Sequence, residues 1–171
     1  RVDLVKEIVS LLNIKGNEKI MDAGCGNGED IIKLRKEYKH RGELYGLDIS
    51  EDMISHAKKL DKKAKSGIQF IKKDVTELEF PDESFDIVIL KHVLHNIHNY
   101  RKAVEECHRV LKTGGKLVVT VNGRKNMLVL RRLRPVIAKL LNKNFFIDSD
   151  LHINIENIDK YLKPIFKKVK K

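Results

Sequence analysis

The sequence predicts a three-layer, doubly wound α/β domain built on a mostly parallel sheet. Short apolar runs alternate five times with amphipathic stretches of helical period, the pattern of a parallel sheet covered on both faces. A tight glycine cluster, Gly24, Gly26 and Gly28, follows the first apolar run. Aspartates end the first three runs, at Asp22, Asp48 and Asp74. Right-handed crossovers force a doubly wound arrangement, and ligands in such sheets sit beyond the carboxyl ends of the strands. The three aspartates should therefore converge on one crevice.

The elements follow in order. Val2, Val5, Ile8, Val9 and Leu12 recur at helical spacing, so residues 2–12 read as an amphipathic helix closed by Gly16. "EKIMDA" is a short strand leading into the glycines. Ile31, Leu34, Arg35 and Tyr38 mark the next helix, begun near Glu29 and Asp30, where acids complement the helix dipole. "ELYGLDIS" is a second strand ending at Asp48. Ser50 is the expected N-cap of a helix carrying Met53, Ile54, Ala57 and Leu60. "IQFIKKD" is a third strand, and "FPDESF" a turn-rich loop. "FDIVIL" is continuously apolar, as a strand buried on both faces should be. Ala103, Val104, Cys107, Val110 and Leu111 form a helical stripe, and "KTGGKLVVTV" is a turn and a fifth buried strand. Residues 1–123 thus form a ligand-binding core, and residues 124–171 a basic helical cap and last helix of the same domain.

The 171 residues suit one domain with a sizeable core. The chain begins at Arg1 rather than Met, which reads as a trimmed or processed front. No run of about 18 apolar residues occurs, so no membrane span or membrane partner is expected. Cys25 and Cys107 lack metal-type spacing, and the expected setting is reduced and cytoplasmic. The net charge of +11 is uneven. Residues 1–123 carry 22 Lys+Arg against 20 Asp+Glu, and residues 124–171 carry 13 against 4. The tail block is strongly basic, which admits an anionic partner such as RNA.

Three glycines after a strand let the backbone turn sharply and approach a ligand. A triphosphate loop needs a Gly-Lys-Ser/Thr ending, whereas this one runs Asn27-Gly28-Glu29. The G-x-G-x-G spacing is one residue tighter than the dinucleotide fingerprint. Asp22 before the loop and Glu29 and Asp30 after it favour a cation over pyrophosphate. Asp48 stands twenty residues after Gly28, like the acid that grips a ribose in nucleotide sites. Asp74 is placed to accept an adenine amine. The ligand that these residues describe is an adenine nucleoside with a positive, phosphate-free group. S-adenosylmethionine fits.

Here the sequence resembles a known family. "MDAGCGNG", "GLDISEDMI", "IKKDVTELEFPDESFDIVILKHVLHNI" and "AVEECHRVLKTGGKLVVT" resemble the successive motifs of class I S-adenosylmethionine-dependent methyltransferases, of the type-11 methyltransferase-domain group. The likeness spans about residues 17–122. Thr113-Gly114 stands where the family commonly has Pro-Gly, a change harmless to a turn. The resemblance implies a Rossmann-like fold, S-adenosylmethionine as cofactor, and these roles. Asp22 holds the methionine ammonium, through water or directly. Gly24, Cys25 and Gly26 pass their backbone under the methionine and ribose. Asp48 holds the ribose hydroxyls, Ile49 and Met53 flank the adenine, and Asp74 and Val75 meet its edge. Lys91 and His92 lie near the methionine end and the reacting methyl, with His92 the candidate catalytic base.

Each residue also has a plainer reading: the aspartates as helix caps, Met53 as helix core, Cys25 as a small packing residue. His92, His95 and His98 share roughly one face if "KHVLHNIHNY" is a helix. They lack the carboxylate or Cys partners of a metal centre, so no metal is expected. His95 matches the family's Leu-His pair, where it is mostly structural.

Methyl transfer from a sulfonium is a direct in-line displacement that needs alignment more than acid–base chemistry. The expected acceptor is a small molecule, chosen by the segment after the fifth strand. There Leu130, Leu133 and Ile137 share a face around Pro135, and Arg131, Arg132 and Arg134 would suit an anion. The alternatives are an RNA methyltransferase and a non-catalytic S-adenosylmethionine-binding module. The family's closing antiparallel hairpin is absent or barely begun at "KKVKK". Either the chain is cut there, or a partner chain completes an open sheet edge, giving a homodimer.

Overall fold

The computed structural model describes residues 3–120 and 158–166, with His95, Asp159 and Tyr161 described by backbone alone. Five strands form one sheet in the order β3-β2-β1-β4-β5. They are β1 (Ile20–Ala23), β2 (Leu44–Asp48), β3 (Gln69–Lys72), β4 (Phe85–Lys91) and β5 (Leu111–Thr120), and every ladder is parallel. The strand order reverses between β1 and β4, so the expected crevice lies above these two strands.

Strand alternation divides the core. Ile20, Ile87, Ile89 and Val118 face α1 (Leu4–Leu12), α2 (Glu29–Glu37) and α3 (Glu51–Ala64). Met21, Ala23, Val88 and Leu90 face α4 (Tyr100–Val110) on the other side. This is why "FDIVIL" is apolar without a break: its residues are needed alternately by two helical layers. Complete burial of a side chain such as Leu47 or Leu90 contributes about 1.5–3 kcal/mol. Asp22 shares the parity of Ile20, so its carboxylate is turned toward the α1–α3 layer.

The helix ends follow the sequence signals. Asp3 caps α1 by accepting from the Lys6 amide, and Ser50 caps α3 by accepting from the Met53 amide. Gly28, at φ 77°, precedes α2, whose first turn carries Glu29 and Asp30. Asn99 caps α4, which buries Ala103, Val104, Cys107 and Val110. The short helix α5 (Asp159–Leu162) follows buried Ile158 and packs Leu162, Ile165 and Phe166 against the α4 side of the core.

Three expectations differ from the structure. The stripe of α3 buries only Ile54 and Ala57, while Met53 and Leu60 stay exposed. β5 is the outer strand among the described residues, and only Leu111 and Val118 of it are buried. In its ladder Phe85 pairs with Leu111 and Ile87 with Lys116, so residues 112–115 loop out against Asp86. The segment after β4 is not a helix carrying three histidines. His92 adopts φ 53°, and only a 3₁₀ turn, Leu94–Asn96, follows it.

The proposed cap, with Pro135, Leu130, Leu133, Ile137 and its arginines, lies outside the described residues, as does "KKVKK". So do most of the 124–171 block and the side chain of His95. Among the described residues, no helix is long and apolar enough to cross a membrane.

Candidate functional site

The loop after β1 is built around its own backbone. The amides of Gly24 and Cys25 both donate to the Leu47 carbonyl, at 2.7 and 2.8 Å, extending the β1–β2 ladder by one turn of chain. Gly24 sits at φ 93°, and a Cβ there would meet Val93 Cγ2 at 2.1 Å. That contact is too close to exist, so Gly24 is fixed by the segment beyond β4 as well as by its own turn. Gly26, at φ 54°, differs: a Cβ there would meet nothing within 4 Å. Its open side faces outward, where a ligand can lie directly on the chain.

Asp48 ties this loop to the start of α3. One carboxylate oxygen accepts from the Gly26 amide at 2.9 Å, and the other accepts from the Ser50 amide at 2.9 Å. The expected strand-end acid is thus also a local cap. A carboxylate has about four lone-pair sites, so each oxygen keeps acceptor capacity for a hydroxyl. Beside it, Ile49 is 66% and Met53 44% exposed. Two large apolar side chains left bare next to a polar loop form a surface suited to a flat ring. Asp74 is exposed, and its Oδ1 accepts from both the amide and the hydroxyl of Thr76, at 2.8 Å each. Val75 is buried in the core.

Asp22 is the unusual group. It is 3% exposed, and its Oδ1 accepts no hydrogen bond from any described residue. Burial pushes its carboxyl up to about 6; Lys91 acts against that rise and Asp48 adds to it. A buried carboxylate without a donor is costly, and a bound cation is the simplest remedy. Cys25 is buried, with its thiol pushed far up by burial and the two aspartates, the surroundings of a packing thiol rather than an activated one.

Lys91, at the end of β4, forms an ion pair with Asp30 of α2. His92 is exposed, and its amide donates to the carbonyl and the hydroxyl of Thr120. That anchorage holds a non-glycine residue in the left-handed region, where about a kcal/mol or more of strain is usual.

The structure therefore gathers Asp22, Gly24, Cys25, Gly26, Asp48 and Lys91 around the switch point, with Ile49 and Met53 beside Asp48 and with Asp74 and Val75 just past β3. Sequence reasoning missed Val93, which has no chemical signal at all. It read Asp30 as part of the acidic surround of the loop but not as the partner of Lys91. Among the described residues no group of three His, Cys, Asp or Glu side chains could hold a metal.

The same arrangement decides between ligands. Among the described residues Lys91 is the cation at the end of β4, and it is already paired with Asp30. Around the switch point the chain presents a buried carboxylate, a second carboxylate and bare backbone. This suits a cationic adenosine derivative such as S-adenosylmethionine and repels a pyrophosphate.

Comparisons with known proteins agree. The profile of a family described as "Methyltransferase domain" matches residues 14–169. The demethylmenaquinone methyltransferase of Geobacillus stearothermophilus is 30% identical over 149 residues, covering 82% of this chain and 64% of that protein. The enzyme of the same name from Staphylococcus saprophyticus is 30% identical over 147 residues, covering 81% and 63%. The chain thus spans slightly less than two thirds of the length of these curated relatives. The crystal structure of a SAM-dependent methyltransferase from Methanosarcina mazei superposes with a TM-score of 0.72 at 20% identity, covering 92% of this chain and 82% of that one. With a profile match over most of its length and relatives at 30% identity, the chain belongs to the class I S-adenosylmethionine-dependent methyltransferase family.

Proposed function

We propose that the chain is an enzyme that transfers a methyl group from S-adenosylmethionine to a small-molecule acceptor by direct in-line displacement. The observation that carries the reading is the buried Asp22 carboxylate, unpartnered at Oδ1, next to a glycine loop with open space at Gly26. Bound there, S-adenosylmethionine supplies a methyl group already activated by its sulfonium leaving group.

The chain's residues then bind and align. Asp22 takes the ammonium of the methionine moiety. Gly24, Cys25 and Gly26 carry their backbone under the methionine and ribose. Asp48 accepts the ribose hydroxyls with the lone pairs that the Gly26 and Ser50 amides leave over. Ile49 and Met53 flank the adenine; Asp74 accepts from its amine, and the Val75 amide meets a ring nitrogen. Lys91 lies at the methionine end. His92 serves as a base where the acceptor must lose a proton. Alignment of this kind is worth several kcal/mol or more without a strong catalytic dyad. The demethylmenaquinone methyltransferases among the relatives support a small-molecule acceptor. The two free thiols suit a cytoplasmic setting.

Titration calorimetry with S-adenosylmethionine, its demethylated product, NAD and ATP tests the donor. The first two should bind, and tighter NAD than S-adenosylmethionine would end the reading. Transfer of labelled methyl to a metabolite extract, with total RNA as the comparison, tests the acceptor. Label in RNA alone would replace a small molecule by RNA.

A further inference from the structure

We propose that Asp30 is a positioning residue that holds Lys91 aside, keeping the Asp22 carboxylate free for the donor's ammonium. The proposal rests on the function argued above and deepens it at the same site.

The problem it solves is a competition between two cations for one carboxylate. Ile89 is the ladder partner of Asp22. Lys91 stands two residues further along β4 and so projects from the same face. Strand spacing and rise put the Lys91 and Asp22 backbones about 8 Å apart, a gap that a lysine side chain spans. Asp22, Asp30 and Lys91 line one pocket, whose other walls are apolar side chains including Leu4, Ile8 and Ile89. In such surroundings an ammonium and a carboxylate attract strongly. Yet Lys91 does not bond Asp22. Its ammonium contacts Asp30 Oδ2, while Asp22 Oδ1 stays unpartnered. Asp30 lies in the first turn of α2, where the helix dipole favours an anion. Lys91 stays close enough to act on Asp22 as the main charge opposing the effect of burial.

Removing the Asp30 charge releases Lys91 toward its remaining acid. The internal ammonium then occupies the place that the donor's ammonium needs.

The test uses Asp30→Asn, which keeps the side chain's shape, and two ligands measured by calorimetry. S-adenosylmethionine carries the ammonium; 5′-methylthioadenosine carries the adenosine without it. Asp30→Asn should weaken S-adenosylmethionine by about tenfold, or about 1.4 kcal/mol, and leave 5′-methylthioadenosine at wild-type affinity. In a Lys91→Met background, where no internal ammonium is left to compete, adding Asp30→Asn should leave the S-adenosylmethionine affinity where Lys91→Met alone sets it. An unchanged S-adenosylmethionine affinity in Asp30→Asn overturns the proposal. So does equal weakening of both ligands, or a double variant weaker by the same factor than Lys91→Met alone, since Asp30 would then act independently of Lys91. Failure of the wild type to bind S-adenosylmethionine overturns the functional reading, and this proposal with it. The other failures leave that reading standing.

Discussion

Replacing Asp22 by asparagine should change the protein's stability in a way that depends on pH. The carboxyl is raised from the ordinary 3.8 to about 6 by its burial, so holding it ionised at neutral pH costs the fold about 3 kcal/mol. The sign follows from proton uptake. Between those two values the native state binds the proton more tightly than the unfolded chain. Stability is therefore fully present below 3.8, where the carboxyl is protonated in both states, and is lost as the pH rises through about 6. Asparagine has no such titration. It does add amide hydrogens where Asp22 Oδ1 already lacks a partner, and an unsatisfied buried donor costs about 1–3 kcal/mol. That cost does not vary with pH, so the slope is the informative quantity. The stability of Asp22→Asn minus that of the wild type should rise by about 2 kcal/mol between roughly pH 4.5 and 7.5, measured by urea unfolding followed by circular dichroism. The variant should also lose donor binding. A difference that is flat across this range would refute the reasoning, because Asp22 would then not be held ionised against burial.

Three further outcomes are expected. Gly24→Ala should lower the urea midpoint and abolish donor binding, because its Cβ would collide with Val93; adding Val93→Ala should recover part of the midpoint, and no recovery would assign the defect to the positive φ alone. Asp48→Ala removes the acceptor of the Gly26 and Ser50 amides and should weaken S-adenosylmethionine by about tenfold or more; calorimetry showing wild-type affinity would contradict its ribose role. His92→Asn keeps a residue that tolerates the left-handed backbone while removing the imidazole, and should lower kcat with KM for the donor unchanged. An unaltered pH–rate profile would remove His92 from the chemistry.

Local pattern alone determined much of this protein. The apolar runs became β1 to β5, Ser50 became the cap of α3, and the α4 stripe was buried through Val110. These features depend on near neighbours in the chain, through strand alternation, helical period and hydrogen bonds three residues long. The acids at strand ends were legible for the same reason, since a parallel sheet carries every strand's carboxyl end to one side.

Tertiary structure decided what depends on partners distant in sequence. Periodicity could not tell that Met53 and Leu60 would lie on the uncovered margin of their helix, because the width of the covering layer is set by other elements. His92 left helical geometry because Thr120 on the neighbouring strand holds its amide. Val93 met Gly24, and Lys91 met Asp30, only once β4 had been laid beside β1. The buried Asp22 belongs to both accounts. Its identity and position are written in the chain, but its raised proton affinity comes from the low-dielectric layer that folding packs over it, and no local pattern encodes that.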